Sequence, residues 1–247
     1  MDRIFLLGGY DLEMITIKDL LAEHKEDFFD YRLSWGARLS SYSDVLNPYD
    51  LFIGIELFED INPPMNYYPV DHHNQGQNKP SSIEQIADLL KLKLNRYQLL
   101  VAANDKGYIP AMEVLGASRP EIDEIRKADR SAQGVMEEDE LLAVKSINEG
   151  LEQHGDFIIV NSLTSKFSTI TDRLYPFWKL LIYFYDHFVF YGAGKDKLVS
   201  HFSELIKEGK AYHGGGKDGF FGLAKGSFTP SEVIKLKNEA INYIHKL

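Results

Sequence analysis

The run Val70-Asp71-His72-His73-Asn74 sets a carboxylate and two imidazoles on consecutive positions, directly after the apolar segment Tyr67 to Val70. These are ligand types for a divalent cation. Successive side chains of an extended chain point to opposite sides, so one histidine can face a site while the other turns inward to brace it. Further carboxylates share the setting. Asp11 and Glu13 follow the apolar run 3–7 and its Gly8-Gly9-Tyr10 turn, and Glu56 stands at the carboxyl end of the apolar run 50–57. Asp105 sits at a corner between the helical segment 96–103 and another near Pro110. The chain has no cysteine, so disulfides and thiolate sites are excluded and any metal must rest on Asp, Glu and His. Each position also has a plain reading. Asp11 and Glu13 suit the cap and first turn of a helix, Glu56 can be solvated in a loop with Glu59 and Asp60, and Asp105 can be a turn or cap residue. A carboxylate held inside so apolar a run as 50–57, however, must be paired or liganded, because an isolated buried charge is costly.

A second candidate is Tyr212-His213-Gly214-Gly215-Gly216-Lys217. One glycine suffices to stop a helix. Three leave backbone N–H groups free to approach an anion and cradle a phosphate; a flexible hairpin or linker is the other reading.

Ligands that converge from distant positions need a frame. The runs 3–7 and 50–57 have the pattern of fully buried strands in a parallel sheet, 67–70 is a further apolar strand, and 28–33 is a further candidate strand. In α/β sheets, ligands gather outside the carboxyl ends of the strands, where Asp11, Glu13, Glu56 and Asp71 stand. Helices are expected over 37–46, stopped before Pro48, over 83–92 behind a Ser81 or Ser82 cap with Glu84 and Gln85 following, and over 96–103. Residues 119–150 read as charged helix, interrupted near Gly134 before the acidic start Glu137-Glu138-Asp139-Glu140. Beyond this connector a strand over 157–160 and a helix over 169–174 are expected. Segments 179–185 and 188–191 resemble a hairpin around Asp186-His187. A helical stripe over 197–206 and a last helix opened by Thr229-Pro230-Ser231-Glu232 complete the chain. Tyr183, Tyr185, Phe190, Phe220 and Phe221 are either a base-stacking surface or core.

At 247 residues and 44% apolar, the chain can bury one full core or two small ones. No apolar stretch is long enough to span a membrane, and the start of the chain enters a strand-like run without a signal-peptide pattern. A cytoplasmic protein is the expectation. The net charge is −10, from 27 basic and 37 acidic residues. A protein that grips long duplex DNA usually shows a basic face, whereas Lys91, Lys93, Lys235 and Lys237 are spaced like solvated helix faces. A small anionic substrate drawn by a bound metal fits this balance better; a homodimer stays open.

The order of these motifs resembles the DHH phosphoesterase superfamily with its DHH-associated C-terminal domain, across essentially the whole chain. That resemblance implies an α/β protein with a Rossmann-like parallel-sheet DHH domain over 1–135 and a helical connector over 136–154. A smaller α/β DHH-associated domain with a mixed sheet would follow over 155–247. It implies two manganese ions, with magnesium as the alternative, on Asp11, Glu13, Glu56, Asp71, His72 and Asp105. Asp71, His72 and His73 would be catalytic, and His213, Gly214, Gly215, Gly216 and Lys217 would bind substrate. The implied activity is two-metal hydrolysis of a phosphoester in a short oligonucleotide, cyclic dinucleotide or nucleotide bisphosphate. The sequence departs from the pattern in four places. Gly9 stands near the position where the family carries a histidine, Glu13 and Glu56 replace aspartates, and Lys217 follows the glycines where histidine is common. These departures put one metal position in question. They keep as an alternative a nucleotide-binding or regulatory protein with weak or lost hydrolysis.

Overall fold

The computed structural model describes residues 3–34, 36–73, 78–215 and 219–245. Contacts divide the chain into two units, Met1–Gly134 and Val135–Leu247. In the first, β1 (Arg3–Leu6), β2 (Asp27–Phe29), β3 (Leu51–Ile55) and β4 (Tyr67–Val70) form a sheet of order β2-β1-β3-β4. Every pairing is parallel. The alternation of side chains explains why the runs are apolar throughout. Phe5, Ile53, Ile55 and Val70 face a core shared with Met14, Ile17 and Leu21 of α1 (Leu12–Glu23) and with Ile83 and Ile86 of α2 (Ser82–Leu90). Leu6 and Phe52 face the opposite way, onto Leu39, Tyr42 and Leu57. A sheet covered on both faces has no side on which polar residues can alternate. Two more helices, α3 (Arg96–Val114) and α4 (Arg119–Ala132), pack against each other and α1.

The second unit begins with α5 (Glu137–Gly150) and contains β5 (Leu151–His154), β6 (Phe157–Asn161), α6 (Ser168–Leu174), β7 (Lys179–Phe184) and β8 (His187–Gly192). It continues through α7 (Lys195–His201), α8 (Ser203–Lys207), β9 (Ala211–Gly214), β10 (Phe220–Leu223) and α9 (Pro230–His245). Its six strands run in the order β5-β6-β7-β8-β10-β9. Only β6 and β7 pair in parallel, so the sheet is mixed. One face packs on α7 and α9 through Leu198, Val233 and Ala240, and the other on α5 and α6 through Ala143 and Ile170. Among the described residues no helix is long and apolar enough to cross a membrane.

Several elements differ from the sequence expectation. Only Asp27–Phe29 of the second strand forms, because the Asp30 carboxylate accepts the Arg32 N–H (2.8 Å) and turns the chain. The helix over 37–46 is reduced to a single 3-10 turn, Leu39–Tyr42. Ser40 gives its N–H and its hydroxyl to Asp60, and the fully buried Tyr42 donates its hydroxyl to the Leu7 carbonyl (2.6 Å). The helix from Arg96 does not stop near 103 but runs on through a break at Gly107 and Tyr108. Phe184 pairs with His187, so the hairpin turn is Tyr185-Asp186 and His187 is a strand residue. The stripe over 197–206 is two short helices. The strands flanking the glycine run were not anticipated. Phe190 and Phe221 are core.

Candidate metal centre

Register brings the site residues together. Ile55 pairs with Val70, so Glu56 and Asp71 leave the sheet side by side, and the Glu56 N–H donates to the Val70 carbonyl (2.8 Å). Glu56 sits at φ +53, a left-handed turn that ends β3 and swings its side chain over the strand ends. Asp11 caps α1, its Oδ1 accepting the Met14 N–H at 2.8 Å. Glu13, in the first turn of that helix, is 2% exposed and accepts the Ile83 N–H at the start of α2 (3.1 Å). Asp105 comes from α3, just before its break.

Around the buried His72 the carboxylates close in. Its Nε2 lies 2.6 Å from Asp105 Oδ2, 3.4 Å from Glu56 Oε1 and 3.8 Å from Glu13 Oε2. His73 lies against it, ring centroids 4.3 Å apart, with Nδ1 3.9 Å from Glu56 Oε1. One donor atom each from Glu56, His72, His73 and Asp105 falls within 4.8 Å of all the others. Yet among the described residues Glu13 Oε2, His72 Nε2 and Asp105 Oδ2 are buried without an aligned hydrogen bond. Polar atoms this close and this buried normally satisfy one another. Here three such atoms crowd together without an aligned hydrogen bond, an arrangement that a shared cation in place of the His72 proton would satisfy.

The electrostatics point the same way. Burial, reinforced by Asp105 and Glu56, holds the Glu13 carboxyl well above its usual range. Burial also drives Asp11 up to about 7, against the Met14 N–H that favours its charge. For His72 burial opposes the charged ring, but Asp105 and Glu56 outweigh it and push the imidazolium up to about 10. Glu56 is raised by burial too, yet falls below its usual value because His72, His73 and the Ser82 hydroxyl favour its charge. The cluster demands positive charge, and a protonated His72 supplies one unit among several carboxylates.

The remaining expected residues are placed as follows. The Asp71 side chain is 42% exposed and holds His73, its Oδ1 accepting the His73 N–H (2.8 Å) and lying 3.0 Å from Nδ1. His213 is exposed in β9, opposite Phe221, and Gly214 ends that strand. Gly215 turns at φ +72; Gly216 and Lys217 lie outside the described residues. Sequence reasoning missed Ser82, whose hydroxyl donates to Glu56 Oε1 at 2.7 Å. Ser81 takes the cap of α2 with Glu84, which frees its neighbour for the site. The capping pattern named both serines, and nothing in it could assign their roles.

This is an α/β protein with a cluster of acidic and imidazole side chains, of the kind that could hold a metal ion, at the carboxyl edge of a parallel sheet. No family model matches the sequence, and no curated protein does. Among solved structures, the pGpG-specific phosphodiesterase PggH from Vibrio cholerae is similar over 99% of this chain and 98% of its own, with a TM-score of 0.52 and 13% identity. A DHH domain described as a member of the s1p family of ribosomal proteins is similar over 99% of this chain and 86% of its own, with a TM-score of 0.51 and 10% identity. The likeness establishes the fold. The chain shares the two-part α/β fold of these two proteins, with a parallel sheet in one part and a mixed sheet in the other, as expected from the sequence.

Proposed function

We propose that this protein is a divalent-cation-dependent phosphoesterase acting on a small phosphorylated substrate: a short oligonucleotide, a cyclic dinucleotide or a nucleotide bisphosphate. The observation that carries this reading is the convergence of Glu13, Glu56 and Asp105 on His72 Nε2, with three buried polar atoms that find no aligned hydrogen bond among the described residues. Glu56, His72, His73 and Asp105 would hold one cation, with Glu13, Asp11 and Asp71 alongside for a second. Manganese or magnesium suits oxygen and imidazole donors, and supplies Lewis-acid polarisation of a phosphoryl oxygen and a lowered pKa for water.

The chain's own groups set the geometry. Ser82 and the Ile83 N–H aim Glu56 and Glu13. A proton on His73 Nδ1 satisfies Asp71 and leaves the lone pair of Nε2, on that half-exposed ring, for the cation. The glycine hairpin with His213 and Lys217 is assigned to substrate phosphate. The acidic balance of the chain favours a short substrate, and so does its likeness to the Vibrio phosphodiesterase, which is specific for pGpG.

The test is a screen of mono-, di- and cyclic nucleotides, nucleotide bisphosphates and pyrophosphate with manganese, beside the variant Asp105→Asn. Cation-dependent cleavage that the variant loses supports the proposal. Tight nucleotide binding without turnover would favour a regulatory protein on the same fold.

A further inference from the structure

Asp105 comes from the interior of a helix, while Glu56 and the two histidines stand at strand ends, so its helix must be held in place. Two residues on, α3 breaks at Gly107 (φ −160, ψ 21) and Tyr108 (φ 59, ψ −149). The Tyr108 pair is a conformation that glycine reaches freely and a side-chain residue holds only when its surroundings enforce it.

Arg126 of α4 supplies that enforcement and brackets Asp105 on both sides. Its Nη1 donates to Oδ1 of Asn104, the residue before Asp105, at 2.8 Å. Its guanidinium carbon lies 4.6 Å from the centre of the Tyr108 ring. The same nitrogen donates to Asp129 Oδ2 at 2.7 Å, pairing a carboxylate whose charge is felt at Asp11. Arg126, Asn104 and Asp129 are all buried. A buried guanidinium is tolerated only with its partners in place, and its planar fork, unlike an ammonium, both stacks and bonds in fixed directions.

We infer that Arg126 is a positioning residue of the cation centre: through Asn104 and Tyr108 it locks the break in α3 and so fixes Asp105 beside His72. This rests on reading the centre as a cation site. Arg96 provides a comparison, since it also ties α3 to α4, through Glu121 at 2.8 Å, and donates to the Leu115 and Gly116 carbonyls, all of them at the two ends of α3 and away in sequence from Asp105.

The experiment is calorimetric titration of manganese into the full chain and into the variants Tyr108→Gly, Arg126→Lys and Arg96→Ala, with thermal melting of each. Glycine adopts the Tyr108 backbone without strain, so Tyr108→Gly preserves the fold while removing the ring under Arg126. Lysine keeps a charge beside Asp129 but loses the stacked fork. Both variants should raise the manganese Kd by about 10–100-fold, the usual effect of losing a group that orients a metal ligand. Arg96→Ala should leave the Kd unchanged. If both variants bind as tightly as the parent, or if Arg96→Ala weakens binding equally, the assignment of Arg126 is overturned. A parent chain that binds no manganese overturns the cation reading, and this inference with it.

Discussion

Glu13 keeps one carboxylate oxygen on the Ile83 N–H and leaves the other unpaired at 2% exposure. Its affinity for a proton is raised, chiefly by burial. The folded state therefore holds that proton more tightly than the unfolded chain, and above the ordinary glutamate range the ionised group costs stability. Glu13→Gln should accordingly raise the melting temperature of the cation-free protein by a few degrees at pH 8, measured in chelator, while weakening manganese binding at least about tenfold. A variant that melts lower would mean that the charge is already compensated. Asp71→Asn tests the other side of the site. Asparagine can still accept the His73 N–H but carries no charge toward Nδ1, so turnover should fall by about 10-fold or more with little change in melting. At this scale the sequence singled out Glu13, Glu56, His72, His73 and Asp105, which the structure brings together, because ligand types after strand ends are rare. It did not disclose Ser82 or Arg126, whose roles depend on where a hydroxyl or a guanidinium points after the helices have packed.

Elements place these groups through close backbone contact. A Cβ on Gly8 would run into the Ile55 carbonyl oxygen and come 2.9 Å from that of Glu56. Gly8→Ala must push β1 away from the end of β3, so it should cost about 1–3 kcal/mol of stability. Because the atoms that move carry Glu56, manganese affinity should drop as well; denaturant melts and calorimetry on one sample would separate the two effects. The 3-10 turn offers a pH test. Burial pushes the Tyr42 phenol up to about 12, with the charge of Asp30 adding to it. The folded chain thus keeps a proton that the unfolded chain releases from about pH 10. The contribution of this group is whole below pH 10 and is lost as pH rises toward 12. Tyr42→Phe should lower stability by about 1 kcal/mol at neutral pH and flatten the alkaline decline. That same contact explains why the turn reads as a helix in the sequence. Its anchor lies 35 residues away at Leu7, where no local periodicity reaches. The strands over 3–7 and 50–57 were legible for the opposite reason, since burial on both faces writes a continuous apolar run, while 67–70, an edge strand with Tyr68 exposed, was legible from its aromatic and β-branched residues. Those of the glycine hairpin were hidden, because glycine carries little strand signal.

For the whole molecule, the two-part architecture was readable from the order of motifs, since a parallel α/β sheet with ligands after several strands constrains topology strongly. What the sequence could not supply is the identity of the substrate, and here net charge gives the sharpest handle. The chain carries −10, so any positive potential must be confined near bound cations and a few lysines. A protein with a basic track loses affinity for long strands steeply between about 50 and 200 mM salt as released counterions are re-bound. An acidic surface does the reverse. It repels a polyanion over distances that salt shortens, while a dinucleotide that fits inside the centre exposes few charges to that surface. The preference in kcat/KM for a dinucleotide over a single strand of about 20 nucleotides should therefore be greatest at low salt and narrow as salt rises. Steady-state rates on both substrates across that range decide the matter. If the long strand is preferred at low salt and loses that preference as salt is added, a cationic path for nucleic acid exists on this surface, and the small-substrate assignment fails even if the cation centre stands.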